Sequence, residues 1–365
     1  MTWQLTVDDL DDLARGATLL GTGGGGDPYI GRLMVQRAIE QNGSITIMDP
    51  DELPDEITVI PTAQMGAPTV IMERIPAGTE PVDALRALEK YTGRIAEATM
   101  PIECGGINSM IPLLVGAQTG LPVVDADGMG RAFPELQMET FNVYGVQGSP
   151  LAIADEVGHS FIVDTADDTP KMEWLARGAT IRLGGAAHIA EYTMTGRQAK
   201  DTAVPRTITL ALKAGRALRQ ARESHGDVIS ILSAALNDTL YNKVVPLFEG
   251  KVVDVERTTD RGFTLGHALF TADDGGELRI TFQNENLVAV RDGQIVAGVP
   301  DLICVLEADT AEPITTERLR FGQRVRVIGI STPDMMRTPE ALNVFGPSCF
   351  GLDHEFVPVE DSAVR

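Results

Sequence analysis

The hydrophobic pattern changes period part-way along the chain, and a chain that does this cannot fold as one uniform layer. From residue 244 onward, short apolar-alternating runs such as 278–282, 287–291 and 324–330 are separated by turns rich in Gly, Asp and Pro. Period two sends successive side chains to opposite faces, which is the pattern of half-buried strands. Asp273-Asp274-Gly275-Gly276 and Arg291-Asp292-Gly293 suit hairpin turns, because Gly and Asp tolerate positive φ. The first part of the chain reads differently. Helical spacing predicts helices over 6–20, 30–41, 82–92 and from 109 to about 119. Strands are predicted at 44–48, 56–61, 69–72, 95–103 and 122–125. Thr6 is placed to cap the first helix, with Asp8 and Asp9 in its first turn. This alternation implies an α/β N-terminal domain, followed by a β-rich C-terminal domain. With 365 residues, two domains are expected. The polar, acidic stretch 165–170 sets the predicted boundary, giving 1–166 as the α/β domain with the candidate active site. Residues 167–365 are then a mixed, later mainly β, domain that includes a strong helix over 205–222.

A net charge of -22 and a pI near 4.6 would repel nucleic-acid phosphates and anionic lipid heads, so neither partner is expected. No apolar run approaches a membrane span, and residues 1–12 lack the pattern of a signal peptide, so a cytoplasmic protein is expected. Cys104, Cys304 and Cys349 are widely spaced with no CxxC pair, which implies neither a disulfide framework nor a zinc knuckle.

Three segments carry candidate chemistry. Gly21, Gly23 and Gly26 satisfy GxGxxG, with Asp49 ending a strand about twenty residues on, but a dinucleotide loop should follow a strand and this one follows a helix. NAD is therefore not the expected cofactor. Gly24, Gly25 and Gly26 still open a helix, where backbone N–H groups suit a carboxylate or polarised ring oxygen of a substrate. The plain alternative is a tight helix-to-helix turn. In Glu103-Cys104-Gly105-Gly106-Ile107-Asn108-Ser109, Cys104 sits where a helix N-terminus lowers a thiol pKa, so it is a candidate nucleophile; the other reading is a buried apolar thiol. Glu103 suits general acid/base work and Asn108 substrate binding, or both simply cap the helix. Asp125 and Asp127 place two carboxylates at a strand end, where they can divide acid and base roles or hold a divalent metal. Arg131 can bind a substrate carboxylate bidentately or pair with an aspartate. Glu135 and Glu139 follow without an assigned role. His159 and His188 belong to no HxH or HExxH pattern, so no metal ligand is assigned; His188, beside a Gly pair, is the more interesting. His225, His267 and His354 look peripheral.

Taken together, Leu20-Gly21-Thr22-Gly23-Gly24-Gly25-Gly26-Asp27-Pro28, Met65-Gly66-Ala67-Pro68, the segment 103–109 and the run 121–135, Leu-Pro-Val-Val-Asp-Ala-Asp-Gly-Met-Gly-Arg-Ala-Phe-Pro-Glu, resemble the S-methyl-thiohydantoin desulfurase family. Phe282-Gln283-Asn284-Glu285-Asn286-Leu287, Pro300-Asp301-Leu302-Ile303 and Phe350-Gly351 extend the resemblance over nearly the whole chain. It implies hydrolytic removal of methanethiol from an S-methylated thiohydantoin, leaving a hydantoin. It also implies occurrence fused to, or beside, hydantoinase/oxoprolinase-type proteins. The residue roles come from the chemistry of the residues alone. Asp125 or Asp127 would hold the attacking water as base, Glu103 would donate a proton, and the Gly-loop N–H groups would hold the ring carbonyl. Cys104 as nucleophile, or a metal on Asp125 and Asp127, gives other routes.

The leading expectation is a hydrolase of a hydantoin-like ring, in which Asp125→Asn or Asp127→Asn strips turnover and spares folding. The alternative is a non-catalytic partner subunit of a hydantoinase/oxoprolinase-type enzyme, docking through the β-rich half. A nicotinamide oxidoreductase rests only on Gly21, Gly23, Gly26 and Asp49. Homo-oligomers are common among such enzymes, and one is entertained here on that ground alone.

Overall fold

The computed structural model describes residues 1–66, 70, 75–260 and 262–362. Most of the predicted strand at 69–72 and the residues Ala67 and Pro68 lie outside them. The chain forms two compact units, each assembled from separated stretches. The first holds Met1–Asp11, Asp27–Gly130 and Glu135–Thr209; the second holds Asp12–Gly26, Arg131–Pro134 and Leu210–Arg365. As the pattern predicts, the N-terminal region is mixed α/β and the C-terminal region β-rich.

The opening segment is a short 3-10 turn, Val7–Asp9, running into α1 (Leu10–Leu20). Thr6 caps it, with the Asp9 carboxylate accepting from the Thr6 N–H and hydroxyl. The glycine run follows α1, and α2 (Tyr29–Asn42) comes after it.

In the first unit the strands are β1 (Trp3–Leu5), β2 (Ile45–Met48), β3 (Thr58–Val59), β4 (Thr62–Gly66), β5 (Val123–Val124), β6 (Ala126–Asp127), β7 (Leu151–Ala154), β8 (Ser160–Val163), β9 (Ala186–Ala190), β10 (Met194–Thr195) and β11 (Val204–Pro205). Its helices are α2, α3 (Glu80–Thr92), α4 (Ile111–Thr119), α5 (Thr140–Val143), α6 (Thr169–Arg182) and α7 (Gly196–Thr202). A four-stranded antiparallel sheet runs β4-β9-β7-β8. Its members reach from residue 62 to residue 190, on both sides of the predicted boundary at 166. A second sheet, β1-β2-β5, contains a parallel pair, β2 with β5. The predicted strand over 95–103 is instead loop that makes single bridges, Val59 with Ala98 and Thr99 with Val123. Two prolines interrupt the neighbouring chain, Pro101 and Pro122, and Pro cannot donate to a ladder. Buried Leu85, Leu88, Val115, Ala152 and Ala190 form one core, and Met100, Val124, Phe141, Tyr192 and Met194 another.

The second unit is built on one seven-stranded antiparallel sheet, curled into a half-barrel. Its strands are β12 (Val244–Asp260), β13 (Phe263–Thr271), β14 (Glu277–Gln283), β15 (Glu285–Arg291), β16 (Gln294–Gly298), β17 (Leu302–Glu307) and β18 (Arg324–Ile330), in the order β16-β15-β14-β13-β12-β18-β17. The period-two reading holds residue by residue: in β14, Leu278, Ile280 and Phe282 are buried, while Glu277 and Arg279 are exposed. Each fully buried side chain of this size contributes about 1.5–3 kcal/mol. Asp292 and Gly293 join β15 to β16 at φ 48° and 81°, the two-residue turn their types suit. The strong helix predicted at 205–222 is α8 (Thr207–Ser224), followed by α9 (Val228–Leu236). Within this unit α1 crosses α8 with almost no gap: a Cβ on Gly16 would lie 1.7 Å from the Ala211 carbonyl oxygen, and one on Gly215 the same distance from that of Asp12.

Candidate functional site

In the first unit the loop before α4 and the turn after β5 meet in a buried cluster of acids. Asp127, fully buried, accepts hydrogen bonds from the backbone N–H groups of Cys104 and Gly130. Burial raises its pKa to about 7, and these N–H groups with that of Met129 lower it only in part. Its carboxyl therefore changes protonation near neutrality. Glu103 is buried beside it, and its Oε1 accepts from Asn108 Nδ2 at 2.7 Å. Asn108 in turn clamps the Gln64 backbone, accepting from its N–H at 2.7 Å and donating to its carbonyl at 3.2 Å. Gln64 is the cross-strand partner of His188 in the β4–β9 ladder, and both line a small cleft of about 40 Å³ with Ile30, Met34, Ile107 and Ile111. That volume holds about two or three waters. Burial lowers the His188 pKa to about 3, so the ring is neutral at physiological pH.

Two candidates take structural placements, Cys104 the buried thiol of its second reading and Asp125 a helix start. Cys104 is buried, and desolvation, with Asp127 and Asp125 next, pushes its thiol well above the usual value. The lowering expected from a helix start is reversed, because the protein interior and the neighbouring acids outweigh a few backbone dipoles. Asp125 faces the start of α8, where its carboxylate accepts from the Thr209 N–H at 3.0 Å and from the Thr209 hydroxyl. Its oxygens cap a helix from a distant segment, which leaves little of them for a water or a metal.

Two further acids belong to this cluster. Glu139 and Glu191 are fully buried, and burial raises both pKa values well above the carboxylate range. Besides burial, Glu139 feels the charges of Glu191, Asp127 and Glu103. Glu191 stands alone after an apolar strand, Ala-Ala-His-Ile-Ala, and no motif marks it; its one sequence signal is a charge ending a run that reads as core.

The glycine loop and Arg131 lie in the second unit. Thr22, Gly23, Gly25 and Gly26 take φ of 46°, 92°, 71° and 73°, a left-handed path that suits glycine. The Thr22 carbonyl accepts from Asn286 N–H at 2.7 Å, and the Gly23 carbonyl from Thr316 N–H at 2.7 Å. Gly25 N–H donates to Glu285 Oε1 at 3.2 Å, and a Cβ on Gly24 would lie 2.1 Å from that same oxygen. The loop does hold an anion-forming group, as its sequence suggests, but the group is the chain's own Glu285. Arg131 is wholly buried and donates to Thr22 Oγ1 and to the carbonyls of Ala132, Asn286 (3.1 Å) and Asp301 (3.1 Å), with its guanidinium over the Phe133 ring. It ties the glycine loop to the sheet, its donors meeting acceptors of the chain itself.

Burial raises the Glu285 pKa to about 8, with Arg131 and the Gly25 N–H opposing. A carboxyl whose folded pKa lies above its unfolded value contributes stability below the unfolded pKa and loses it as pH rises through the folded one. The melting temperature is therefore expected to fall between about pH 5 and 8, and Glu285→Gln to flatten that slope. Parallel melts of the two proteins across this range check it; equal slopes would reject it.

His267, read as peripheral, lies opposite Glu256 in the β12–β13 ladder, and Asp254, Glu256 and His267 offer ligand atoms within 4.8 Å of one another. Among the described residues no helix is long and apolar enough to cross a membrane.

Comparison with known proteins decides the family. One family model, described as the S-Me-THD-like N-terminal domain, matches residues 8–165, and a second, the S-Me-THD-like C-terminal domain, matches 166–359. The chain belongs to the S-Me-THD-like family. Among solved structures, a crystal structure of a protein from Chromobacterium violaceum matches at 24% identity and a TM-score of 0.80, covering 98% of this chain and 100% of that one. At that identity the likeness shows the shared fold. No curated protein matches.

In this S-Me-THD-like chain the two aspartates of Asp125-Ala126-Asp127 have different partners. Asp125→Asn is expected to lower stability by about 0.5–2 kcal/mol, the cost of a lost helix cap, with turnover per folded molecule kept. A denaturant titration beside an activity assay checks both halves.

Proposed function

We propose that this S-Me-THD-like chain is a hydrolase of a hydantoin-like ring that releases methanethiol from an S-methyl-thiohydantoin. The observation that carries the reading is Asp127, a wholly buried carboxyl held by backbone N–H groups beside Glu103, its pKa pushed up by burial to about 7. A group poised near the working pH is what proton transfer needs. Asp127 takes a proton from water as its oxygen bonds to the ring carbon bearing sulfur. The tetrahedral adduct then loses methanethiol as the carbon–sulfur bond breaks, and Glu103, held by Asn108, supplies the proton for the ring nitrogen or leaving sulfur. Water is preferred over Cys104 as nucleophile, because burial keeps that thiol protonated. The test is thiol release from an S-methyl-thiohydantoin by the purified protein. Release at the rate of the protein-free control would reject the reading.

One observation favours a partner-subunit reading, though on the α/β unit and not on the β-rich half where the sequence placed the docking face. On α6, Trp174 and Ile181 lie two turns apart and are 66% and 53% exposed. A stable complex with a hydantoinase-type protein, lost in Trp174→Ala, would support it.

A further inference from the structure

We infer that Glu139 and Glu191 hold a hard divalent cation, of the magnesium or manganese kind, inside the first unit. The inference stands on the two glutamates alone. It deepens the proposed hydrolysis because Asp127 belongs to the same buried cluster, its charge acting on Glu139.

Among the described residues, none of the four carboxylate oxygens of this pair has a hydrogen-bond partner, and both residues are 0% exposed. Leaving a buried acceptor unsatisfied destabilises a fold, and a buried charge without a counter-charge costs more. Buried charges in folded proteins are paired or bind metals, and an unsatisfied buried group points to a missing ion or water. Among the described residues, the charged groups acting on Glu139 are Glu191, Asp127 and Glu103, all acids. Glu173, whose charge also acts on Glu191, accepts from Arg177.

The backbone is arranged to keep the pair together. Glu139 precedes α5, Glu191 follows β9, and the adjoining rings of Phe141 and Tyr192 pack with centroids 5.4 Å apart. The Tyr192 hydroxyl donates to the Leu136 carbonyl at 2.8 Å, pinning the two segments a second time. Gly128 leaves room for the carboxylate, since a Cβ there would lie 2.3 Å from Glu139 Oε2.

The donor set selects the cation. Carboxylate oxygens suit magnesium, manganese and calcium, whereas zinc and copper prefer imidazole and thiolate. Magnesium is commonly held by one or two carboxylates, with water in its other positions. The pair fits that habit better than a closed three-ligand zinc site. The tight three-ligand cluster among the described residues is the outer one, Asp254, Glu256 and His267.

The test is manganese binding to the metal-stripped protein, followed by calorimetry and electron paramagnetic resonance without substrate. The wild type is expected to bind manganese at one site displaced by magnesium, with a melting temperature raised by several degrees. His267→Ala, which breaks the outer cluster, should keep this site, and Glu191→Gln should lose both the binding and the thermal gain while its circular dichroism stays native. Glu139→Asp serves as a milder second variant, expected to weaken binding at least tenfold. The proposal is overturned by a wild type that binds no manganese, by binding that disappears in His267→Ala, or by Glu191→Gln and Glu139→Asp both binding as the wild type does. The last outcome would mean that the glutamates only share a proton. Because binding is read without substrate, a protein that binds manganese but releases no thiol sinks the hydrolase reading alone.

Discussion

Asp127→Asn is expected to lower the rate of thiol release by about 10²–10⁴-fold, the usual range for removing a positioned acid or base. The asparagine amide occupies nearly the same volume but cannot take a proton. It also turns an NH₂ toward one of two backbone donors, Cys104 N–H or Gly130 N–H, so a stability loss of about 1–3 kcal/mol should accompany it. Rates must therefore be compared per folded molecule, with a melt run beside each assay. The wild-type pH profile provides an independent readout. Asp127 acts as base only when ionised, so kcat/KM should rise with pH and reach half its plateau near pH 7. A profile flat from pH 5 to 9, together with a fully active Asp127→Asn, would move the base elsewhere.

Arg131→Lys is expected to destabilise the protein by about 3–5 kcal/mol, although the charge is kept. Four acceptors now share one planar guanidinium: the Thr22 hydroxyl and the carbonyls of Ala132, Asn286 and Asp301. An ammonium has three donors on one atom and cannot reach groups spread around a fork. For a unit of this size the loss corresponds to a melting point lower by roughly 10 °C. The opposite reading, in which Arg131 grips a substrate carboxylate, predicts a raised KM with an unchanged melting point. The two measurements on one variant therefore separate an anchor from a binding residue.

The β-rich half was the most legible part. Strand β18 runs over 324–330 as the alternation predicts, and Asp292-Gly293 forms the turn its composition suggests. Helix α3 and helix α8 likewise follow their apolar spacing to within two residues. The segment 95–103 was misread because its apolar residues are buried by loop packing, and periodicity cannot tell a buried loop from a buried strand when prolines interrupt the ladder. Helix α6 was missed beside the polar stretch 165–170, where Asp168 proves to be a helix cap, accepting from Lys171 N–H at 2.9 Å. A boundary and a cap use the same residue types.

The candidate site shows the same division. By itself the sequence determined most of the elements: where the C-terminal strands and helices α3 and α8 lie, that a glycine-rich turn joins α1 to α2, and that Glu103, Asn108 and Asp127 fall at the ends of elements. These are local properties, set by spacing and by the backbone freedom of single residues. Only the tertiary structure decided which polar group meets which. It put Glu285 into the glycine loop, turned Asp125 onto a helix start 84 residues away, and set Glu191 beside Glu139. It also reversed the expected shift at Cys104. Each of these depends on desolvation and on partners distant in sequence. A carboxyl or thiol reads the same in the sequence whether it will face water, a helix or another acid, and its proton affinity is fixed only once the fold has chosen among them.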